Sequence, residues 1–181
     1  ATVPPQHMYG TETSVLLPLL AGMAVHTARP LFPTDVAVAL GEVPEPRVLV
    51  TTPVHLRTLL ASKQSFPKVA VVVSATAPMD AALAQRVGCG LNAPLLEMFG
   101  STETGVIATR LTAHESGWRL YPGVSIGPAA DHTWVRAPWF DQPTRLQDVM
   151  EIDPEGRMLL RGRNVDLIEI AGKRASLADL T

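Results

Sequence analysis

The sequence predicts an α/β fold with a mostly parallel sheet flanked by helices, followed by a small antiparallel, β-barrel-like subdomain. Two observations lead to this prediction. Up to residue 105, apolar strand-like runs alternate with helix-like segments of about ten residues, which favours right-handed crossovers between parallel strands. After residue 105, short strand-like runs are separated by Gly, Pro and Asp, without a helical pattern between them.

In the first part, the apolar run at residues 69–73 is typical of a strand buried on both faces of a sheet. Pro53 is expected to open a helix, because proline is favoured in the first helical turn. Thr34 is a candidate N-cap for the predicted helix at residues 35–40. The predicted strands are residues 24–28, 47–51, 69–73 and the run ending at Phe99; the predicted helices are residues 13–21, 35–40, 53–62 and 79–87.

In the second part, Pro and Gly at the second and fourth positions of residues 153–156 indicate a type I turn and therefore a hairpin. The predicted domains are an α/β subdomain at residues 1–105, an antiparallel subdomain at 106–163, and a hinge with the start of a lid at 164–181. The predicted strands of the second part are residues 106–110, 118–121, 124–126, 132–136, 146–152 and 157–160.

The composition excludes several classes of protein. The net charge of −2, with 18% charged residues, gives no reason to expect nucleic acid or an acidic membrane surface as a partner. The apolar segment at residues 15–25 contains Pro18 and Gly22 and is too short to span a bilayer. The single Cys89 excludes an internal disulfide, which fits a reducing, cytoplasmic location. The first residue is Ala1 rather than Met, and we expect the chain to be part of a longer protein.

Residues 95–105 contain the most informative motif, an apolar run followed by Phe-Gly-Ser-Thr-Glu-Thr-Gly. Ligands of open α/β sheets bind at the carboxyl ends of strands. Glycines let the backbone approach a ligand, hydroxyls can donate to phosphate oxygens, and the carboxylate of Glu103 can hold a divalent cation. Taken alone, the motif is more often an ordinary turn.

Residues 74–78 form a second candidate loop, in which small side chains leave room for a flat ligand against the backbone. The alternative is a tight strand-to-helix turn. Phe99 could stack on an aromatic ligand or simply belong to the core. Asp148 lies in an apolar run, where it could accept hydrogen bonds from a diol or point outward from a strand. Arg161 and Arg163 could face an anion or form a solvated basic pair.

The histidines show no spacing typical of a zinc site, and His7 is the best placed of them, in a loop before a helix. No serine–histidine–aspartate arrangement and no Gly-rich phosphate loop with a lysine can be recognised.

In their order, these motifs resemble the adenylate-forming (AMP-binding) superfamily, and its acyl-CoA synthetase-like members in particular. The resemblance covers essentially the whole chain. The motifs that carry it are Pro-Pro-Gln-His-Met-Tyr-Gly from residue 4, Ser-Ala-Thr-Ala-Pro from residue 74, Phe-Gly-Ser-Thr-Glu-Thr-Gly from residue 99, Asp148 before an Asp-Pro-Glu-Gly hairpin, and Gly-Arg-Asn-Val-Asp from residue 162.

The resemblance implies an ATP-dependent ligase that activates a carboxylic acid as an acyl-adenylate and passes it to a thiol. It implies ATP, Mg²⁺ and coenzyme A, or the phosphopantetheine of an acyl carrier protein, as cofactors and co-substrates, and fatty acid metabolism as the setting. The implied roles are Thr102 on the α-phosphate and Glu103 on Mg²⁺; Phe99 and Gly100 beside adenine, with Ala75, Thr76 and Ala77 lining adenine and ribose; Asp148 and Arg163 at the ribose; and His7 with Met98 at the acyl pocket.

Some features depart from the family pattern. The family commonly has Thr-Gly-Asp where this chain has Leu-Gln-Asp at residues 146–148. Val165 replaces an aspartate of the hinge, and Glu169 replaces a lysine, which makes domain rotation and thiolation the uncertain steps. The family's phosphate-clamping loop would precede residue 1 and its carboxyl-terminal lid would follow Thr181, so we expect the isolated chain to be inactive.

Two further hypotheses compete with the enzyme. One is a non-catalytic sensor or scaffold of the same fold that binds nucleotide or acyl groups, and Val165 and Glu169 favour it. The other is an interaction domain without a ligand.

Overall fold

The structure is a computed structural model of the chain. It describes the backbone of residues 1–163, 167–170 and 173–176, with side chains through residue 162. The chain divides into two compact units, Ala1–Glu115 and Ser116–Thr181, each with its own secondary structure.

The first unit contains helices and strands in alternation. Helical structure begins with α1 (Met8–Thr11), continues through a π-helical turn (Glu12–Leu16) and ends with α2 (Leu17–Ala21). The later helices are α3 (Pro33–Gly41), α4 (Pro53–Ala61) and α5 (Ala81–Leu91). The strands are β1 (Val48–Thr51), β2 (Val71–Ser74), β3 (Leu95–Ser101) and β4 (Gly105–Arg110).

Local sequence explains where the helices begin. The Thr52 side chain accepts a hydrogen bond from the backbone N–H of His55 at 3.4 Å, and Pro53 occupies the first turn of α4, as predicted. Asp80 Oδ1 accepts from the Leu83 N–H at 2.6 Å at the start of α5. These caps satisfy N–H groups that have no partner within the helix, and they fix how the chain leaves β1 and β2.

The strands of the first unit are ordered β1-β2-β3-β4. The pairs β1–β2 and β2–β3 are parallel, and β3–β4 is antiparallel. One face of the sheet carries a core of Val36, Leu56, Val72, Val87 and Leu95 with their neighbours, contributed by α3, α4, α5 and the strands. The mostly parallel sheet flanked by helices is therefore confirmed.

The opposite face of this sheet is covered by the amino-terminal segment. Val3 and Tyr9 are buried there against Val50 and Val73. The Thr2 N–H donates to the Val50 carbonyl at 2.9 Å, which holds the segment against β1. The sheet is thus buried on both faces, in keeping with its continuous apolar runs.

Four local predictions differ from the structure. Residues 24–28 form no strand, and Val25 remains exposed instead of joining the sheet. The first helix begins at Met8, five residues before the predicted start, and Thr34 lies inside α3, whose N-cap is Phe32. The β4 strand belongs to the sheet of the first unit because it pairs with β3.

Large apolar side chains are exposed along the π-helical turn, α2 and the segment before α3. Leu19 and Leu20 are 77% and 84% exposed, and Phe32 is 70% exposed. Among the described residues, none of the helices has the length and apolar character needed to cross a membrane.

The second unit is built from antiparallel strands. Within the described part of this unit, β6 (Ser125–Pro128), β7 (Thr133–Arg136) and β8 (Thr144–Leu146) form one sheet, and β9 (Asp148–Ile152) pairs with β10 (Met158–Arg163). Its other strands are β5 (Arg119–Leu120), β11 (Leu167–Ile170) and β12 (Lys173–Ser176), the last two forming a hairpin.

The turn predicted between β9 and β10 is confirmed, because the Gly156 N–H donates to the Asp153 carbonyl at 3.0 Å. Thr133 Oγ1 accepts from the Met150 N–H at 3.0 Å, joining β7 to β9. The antiparallel second part is therefore confirmed as well. The predicted domain limits at residues 105/106 and 163/164 stay predictions. Val165, the residue at which the hinge departs from the family pattern, lies outside the described residues.

The β3–β4 hairpin makes Gly100 sensitive to substitution. A Cβ at Gly100 would overlap the backbone carbonyl of Gly105, which cannot move without breaking the hairpin. We expect Gly100→Ala to destabilise the intact protein by about 1–3 kcal/mol, the usual cost of overpacking. The measurement is the midpoint of urea unfolding.

Gly41→Ala is the matched control, since nothing lies within 4 Å of a Cβ at Gly41 in α3. There we expect no loss, or a gain of about 0.4–1 kcal/mol from reduced entropy of the unfolded chain. Equal midpoints for Gly100→Ala and the unsubstituted protein would contradict the close approach.

Candidate functional site

The two motif loops leave neighbouring strands at the same edge of the first unit's sheet. Ser74 of β2 is in register with Glu97 of β3, and the two strands are parallel. The loop after Ser74 and the turn after Ser101 therefore emerge from the carboxyl ends of adjacent strands. Ligands bind at this position in open α/β sheets.

The loop at residues 74–78 holds an unusual backbone conformation. Thr76 has a φ of 80°, in the left-handed region that side-chain-bearing residues avoid at a cost of about 1–2 kcal/mol. Ala75 is buried, Ala77 is half-buried and Thr76 is exposed. Within the described chain, the buried Ser74 hydroxyl has no hydrogen-bond partner. Backbone of this kind clusters at functional sites.

The turn at residues 101–104 is held by its own first and last residues. The Thr104 N–H donates to the Ser101 carbonyl at 3.2 Å, and Thr104 Oγ1 accepts from the Ser101 N–H at 3.2 Å. Thr102 and Glu103 are the two central residues, and both are exposed. The hydroxyls of Ser101 and Thr104 thus shape the turn, whereas Thr102 and Glu103 lie at its tip.

Met98 and Phe99 lie just before this turn and point to opposite faces of the sheet, since successive strand side chains alternate. Met98 is half-buried and packs against the cluster that contains Val3 and Tyr9. Phe99 is half-buried on the other face, and Gly100 follows it at a register shift between β3 and β4. Bulges of this kind occur often beside active sites.

His7 is the N-cap of α1 and is exposed, which agrees with its predicted place in a loop before a helix. The helix that follows is anchored at Tyr9, whose hydroxyl donates to the Thr51 carbonyl at the end of β1, at 3.3 Å. Burial raises the pKa of Tyr9 well above its ordinary value, and the hydrogen bond to Thr51 opposes that rise. His7 therefore lies at the start of a helix that is anchored to the sheet at its second residue.

An ion pair between the buried Glu97 and the half-buried Arg110 joins the bases of the two motif loops. Arg110 Nε donates to Glu97 Oε2 at 2.8 Å, and Thr112 Oγ1 donates to the same oxygen at 2.6 Å. Arg110 Nη2 also donates to the carbonyl of Met79, just after the loop at residues 74–78, at 3.3 Å. Sequence reasoning missed this network, although a glutamate within an apolar strand was a usable signal.

Glu12 was also missed. Its half-buried carboxylate accepts from the Val106 N–H, with 3.1 Å to Oε1 and 3.2 Å to Oε2. Burial raises the pKa of Glu12, and the hydrogen bond from Val106 acts in the opposite direction. Glu12 is the only Asp, Glu, Lys or Arg among residues 1–28, which could have identified it in the sequence.

The second unit places Asp148 and Arg163 opposite each other. Asp148 begins β9, Arg163 ends β10, and the two are partners in the antiparallel register. Asp148 is half-buried, and the side chain of Arg163 lies outside the described side chains. The two residues predicted for the ribose are thus neighbours on one hairpin.

No group of three or more His, Cys, Asp and Glu side chains suited to a metal ion occurs among the described residues. Proteins often hold Mg²⁺ through one or two carboxylates together with substrate phosphates and water. The exposed carboxylate of Glu103 is a ligand of that kind.

A cavity of about 280 Å³ lined by residues 45–47, Lys68 and Ala70 lies at the amino-terminal ends of β1 and β2, away from the motif loops.

Comparison with known proteins agrees with this arrangement. The family of AMP-binding enzymes matches residues 1–165. A 4-coumarate–CoA ligase of Rhodobacter capsulatus is 31% identical over 184 aligned positions, which cover 97% of this chain and 43% of the relative. The chain thus spans less than half the length of the curated relative that it matches.

Solved structures show the same fold. Apo MatB from Rhodopseudomonas palustris superimposes with a TM-score of 0.81 at 18% identity, over 96% of this chain and 42% of that protein. O-succinylbenzoate coenzyme A synthetase (MenE) from Bacillus subtilis, in complex with ATP and magnesium ion, gives a TM-score of 0.79 at 17% identity, over 96% of this chain and 43% of that protein. The family match extends over both motif loops and over Asp148 and Arg163, and the chain belongs to the AMP-binding enzyme family.

Proposed function

We propose that this chain supplies part of the nucleotide and acid site of an ATP-dependent ligase that joins a carboxylic acid to a thiol. The observation that carries the proposal is the family match across residues 1–165, together with two motif loops at one edge of a parallel sheet. The acceptor thiol is that of coenzyme A, or of the phosphopantetheine on an acyl carrier protein. The acid is a small-molecule carboxylic acid, and the proposed location is the cytoplasm.

The reaction has two steps. A carboxylate oxygen attacks the α-phosphorus of ATP, the bond to the β-phosphate oxygen breaks, and pyrophosphate leaves with its electron pair. The thiol then loses its proton to solvent as its sulfur attacks the acyl carbonyl, and AMP leaves with the electron pair of the broken acyl–oxygen bond. Negative charge accumulates on the α-phosphoryl oxygens in the first step, so stabilisation of that charge is the main task of the site.

The tip of the turn at residues 101–104 suits this task. In the proposed roles, the Thr102 hydroxyl donates to the α-phosphate and the Glu103 carboxylate holds Mg²⁺. Bound Mg²⁺ would offset the negative charge of the phosphates. Ser101 and Thr104 are hydrogen-bonded to each other and hold the turn in shape. Thr102 and Glu103 between them are exposed, where they can reach ATP and Mg²⁺.

The nucleoside is assigned to the other motif positions. The strained backbone around Thr76, with Ala75 and Ala77, lines adenine and ribose, and Phe99 with Gly100 lies beside the base. A half-buried carboxylate such as that of Asp148 can accept two hydrogen bonds from a ribose diol, with Arg163 beside it in the register.

The acid is assigned to the face of the sheet that carries the helix start at His7. Met98 packs on this face and offers an apolar surface, while His7 stands at the exposed end of α1. Because Met98 and the turn belong to the same strand segment, the acyl group and the α-phosphate would meet near residues 98–103.

Glu103 provides a direct test of the turn. Glu103→Ala should lower acid-dependent ATP–pyrophosphate exchange by about a hundredfold, the usual effect of removing one group that stabilises developing charge. The measurement is exchange by the intact protein across a panel of carboxylic acids.

Glu155→Ala is the matched control, because Glu155 occupies the same third position of a β-turn, closed by a backbone hydrogen bond of 3.0 Å, in the second unit. Exchange should stay unchanged there. Nucleotide binding without exchange in the unsubstituted protein would instead favour the non-catalytic sensor.

Asp148 can be tested with a modified nucleotide. Asp148→Ala should raise the KM for ATP about tenfold, the effect of losing hydrogen bonds to a charged group. The unsubstituted protein should lose a similar factor with 2′-deoxy-ATP, whereas the variant should use ATP and 2′-deoxy-ATP almost equally. Asp141→Ala, at an exposed loop of the same unit, is the control. Full discrimination against 2′-deoxy-ATP by Asp148→Ala would exclude the ribose role.

The isolated 181-residue chain should show no measurable exchange. It spans 43% of the curated relative's length, so groups beyond it are expected to complete the phosphate and acid sites. Purified chain assayed beside a full-length relative tests this expectation. A rate near that of the relative would show that residues 1–181 suffice.

A further inference from the structure

Beyond the motif residues, we infer that Glu12 is the positioning residue of the turn at residues 101–104, holding it against the helical segment that starts at His7. The inference rests on the proposed function, because the turn's purpose is to bind ATP. It concerns a residue outside the motifs and a contact between segments 94 positions apart. Three observations support it.

The first is the contact itself. Both carboxylate oxygens of Glu12 lie within hydrogen-bond distance of the Val106 nitrogen, at 3.1 and 3.2 Å. Val106 is the second residue of β4, immediately after the turn and Gly105. A hydrogen bond to an ionised acceptor is roughly twice as strong as a neutral one. The carboxylate therefore fixes the point at which the chain leaves the turn.

The second observation is the lack of space at Gly105. A Cβ at this position would overlap Glu12 Oε1, and the φ of 66° at Gly105 lies in the left-handed region. The turn is thus followed directly by a position that only glycine fills without strain, next to the Glu12 carboxylate. The left-handed backbone at Gly105 and the contact with Glu12 therefore both restrict the position of the turn.

The third observation is the rigidity of the segment that carries Glu12. Tyr9 is buried and bonded to β1, and Thr13 Oγ1 donates to the Tyr9 carbonyl at 2.6 Å. Thr11 Oγ1 donates to the Pro5 carbonyl at 2.6 Å, closing the loop that contains His7. Glu12 itself begins a π-helical turn, a local structure frequent at functional sites. An anchored helix can hold a turn in place, whereas a mobile one cannot.

Glu12 therefore joins the element assigned to the acid, which starts at His7, to the turn assigned to the α-phosphate. It touches neither substrate in this scheme. Its effect is to keep Thr102 and Glu103 at a fixed distance from the acid-binding helix, and misplacement by a fraction of an ångström is costly for a reaction that depends on alignment.

The test compares Glu12→Ala, which removes the acceptor, with Glu12→Gln, whose amide oxygen still accepts from Val106 N–H. In the intact protein, Glu12→Ala should raise the KM for ATP about tenfold, with the KM for the acid within about twofold of its normal value. Glu12→Gln should restore the KM for ATP to within about threefold. The control is Glu42→Ala. Glu42 is an exposed residue of the same unit, and its carboxylate is bonded to His26 at 2.7 Å.

A second measurement follows the contact without relying on catalysis. Deuterium uptake by the peptide at residues 99–110 should rise in Glu12→Ala and stay normal in Glu12→Gln and Glu42→Ala. Unchanged uptake in Glu12→Ala would overturn the inference. So would raised uptake with normal KM values, or equal changes in both KM values, which is the pattern of a general loss of structure.

Failure of the proposed function has a different outcome. If the unsubstituted protein neither exchanges pyrophosphate with any acid nor binds ATP, the proposed function is wrong and the positioning role falls with it. If the unsubstituted protein does both and Glu12→Ala does both equally well, only the positioning role is wrong.

Discussion

The buried pair of Glu97 and Arg110 is the interaction on which the site edge of the first unit depends. Two charges taken out of water are stable together only when their remaining hydrogen-bonding groups find partners. Here Thr112 and the Met79 carbonyl supply them, at 2.6 and 3.3 Å. Glu97 belongs to β3, Arg110 to β4 and Met79 to the chain before α5, so one network fixes the bases of both motif loops. Loss of Arg110 would leave the buried carboxylate of Glu97 without its compensating charge.

The parallel core could be predicted because its physics is local to each segment. Strands buried on both faces need continuous apolar runs, and β2 is such a run. Proline and threonine at the start of α4 mark that helix in the same way. Each of these signals lies within a few residues, so a single sequence suffices to read them.

The predictions from sequence were wrong where tertiary contacts decide which secondary structure a segment forms. Residues 24–28 have strand-like composition but find no partner in the sheet, and Val25 remains exposed. The first helix starts early, at Met8, although Gly10 is a poor helix former. A Cβ at Gly10 would overlap the Pro4 carbonyl, so close packing requires glycine there. In the candidate site, the places of the motif loops followed from strand order, whereas the contact between Glu12 and Val106 joins positions 94 apart that no local pattern connects.

The turn at residues 101–104 is enclosed by two strands of a single hairpin, and its hydrogen bonds use the backbone and the side chains of its first and last residues. Backbone shape and chemical identity are therefore separate properties at this point of the fold. Thr102 and Glu103 lie at the exposed tip of the turn, while the strand pairing, Gly100 and Gly105 define the path of the chain on either side of it. During evolution, substitutions at this tip can thus change or remove the groups that bind a ligand while the sheet stays the same.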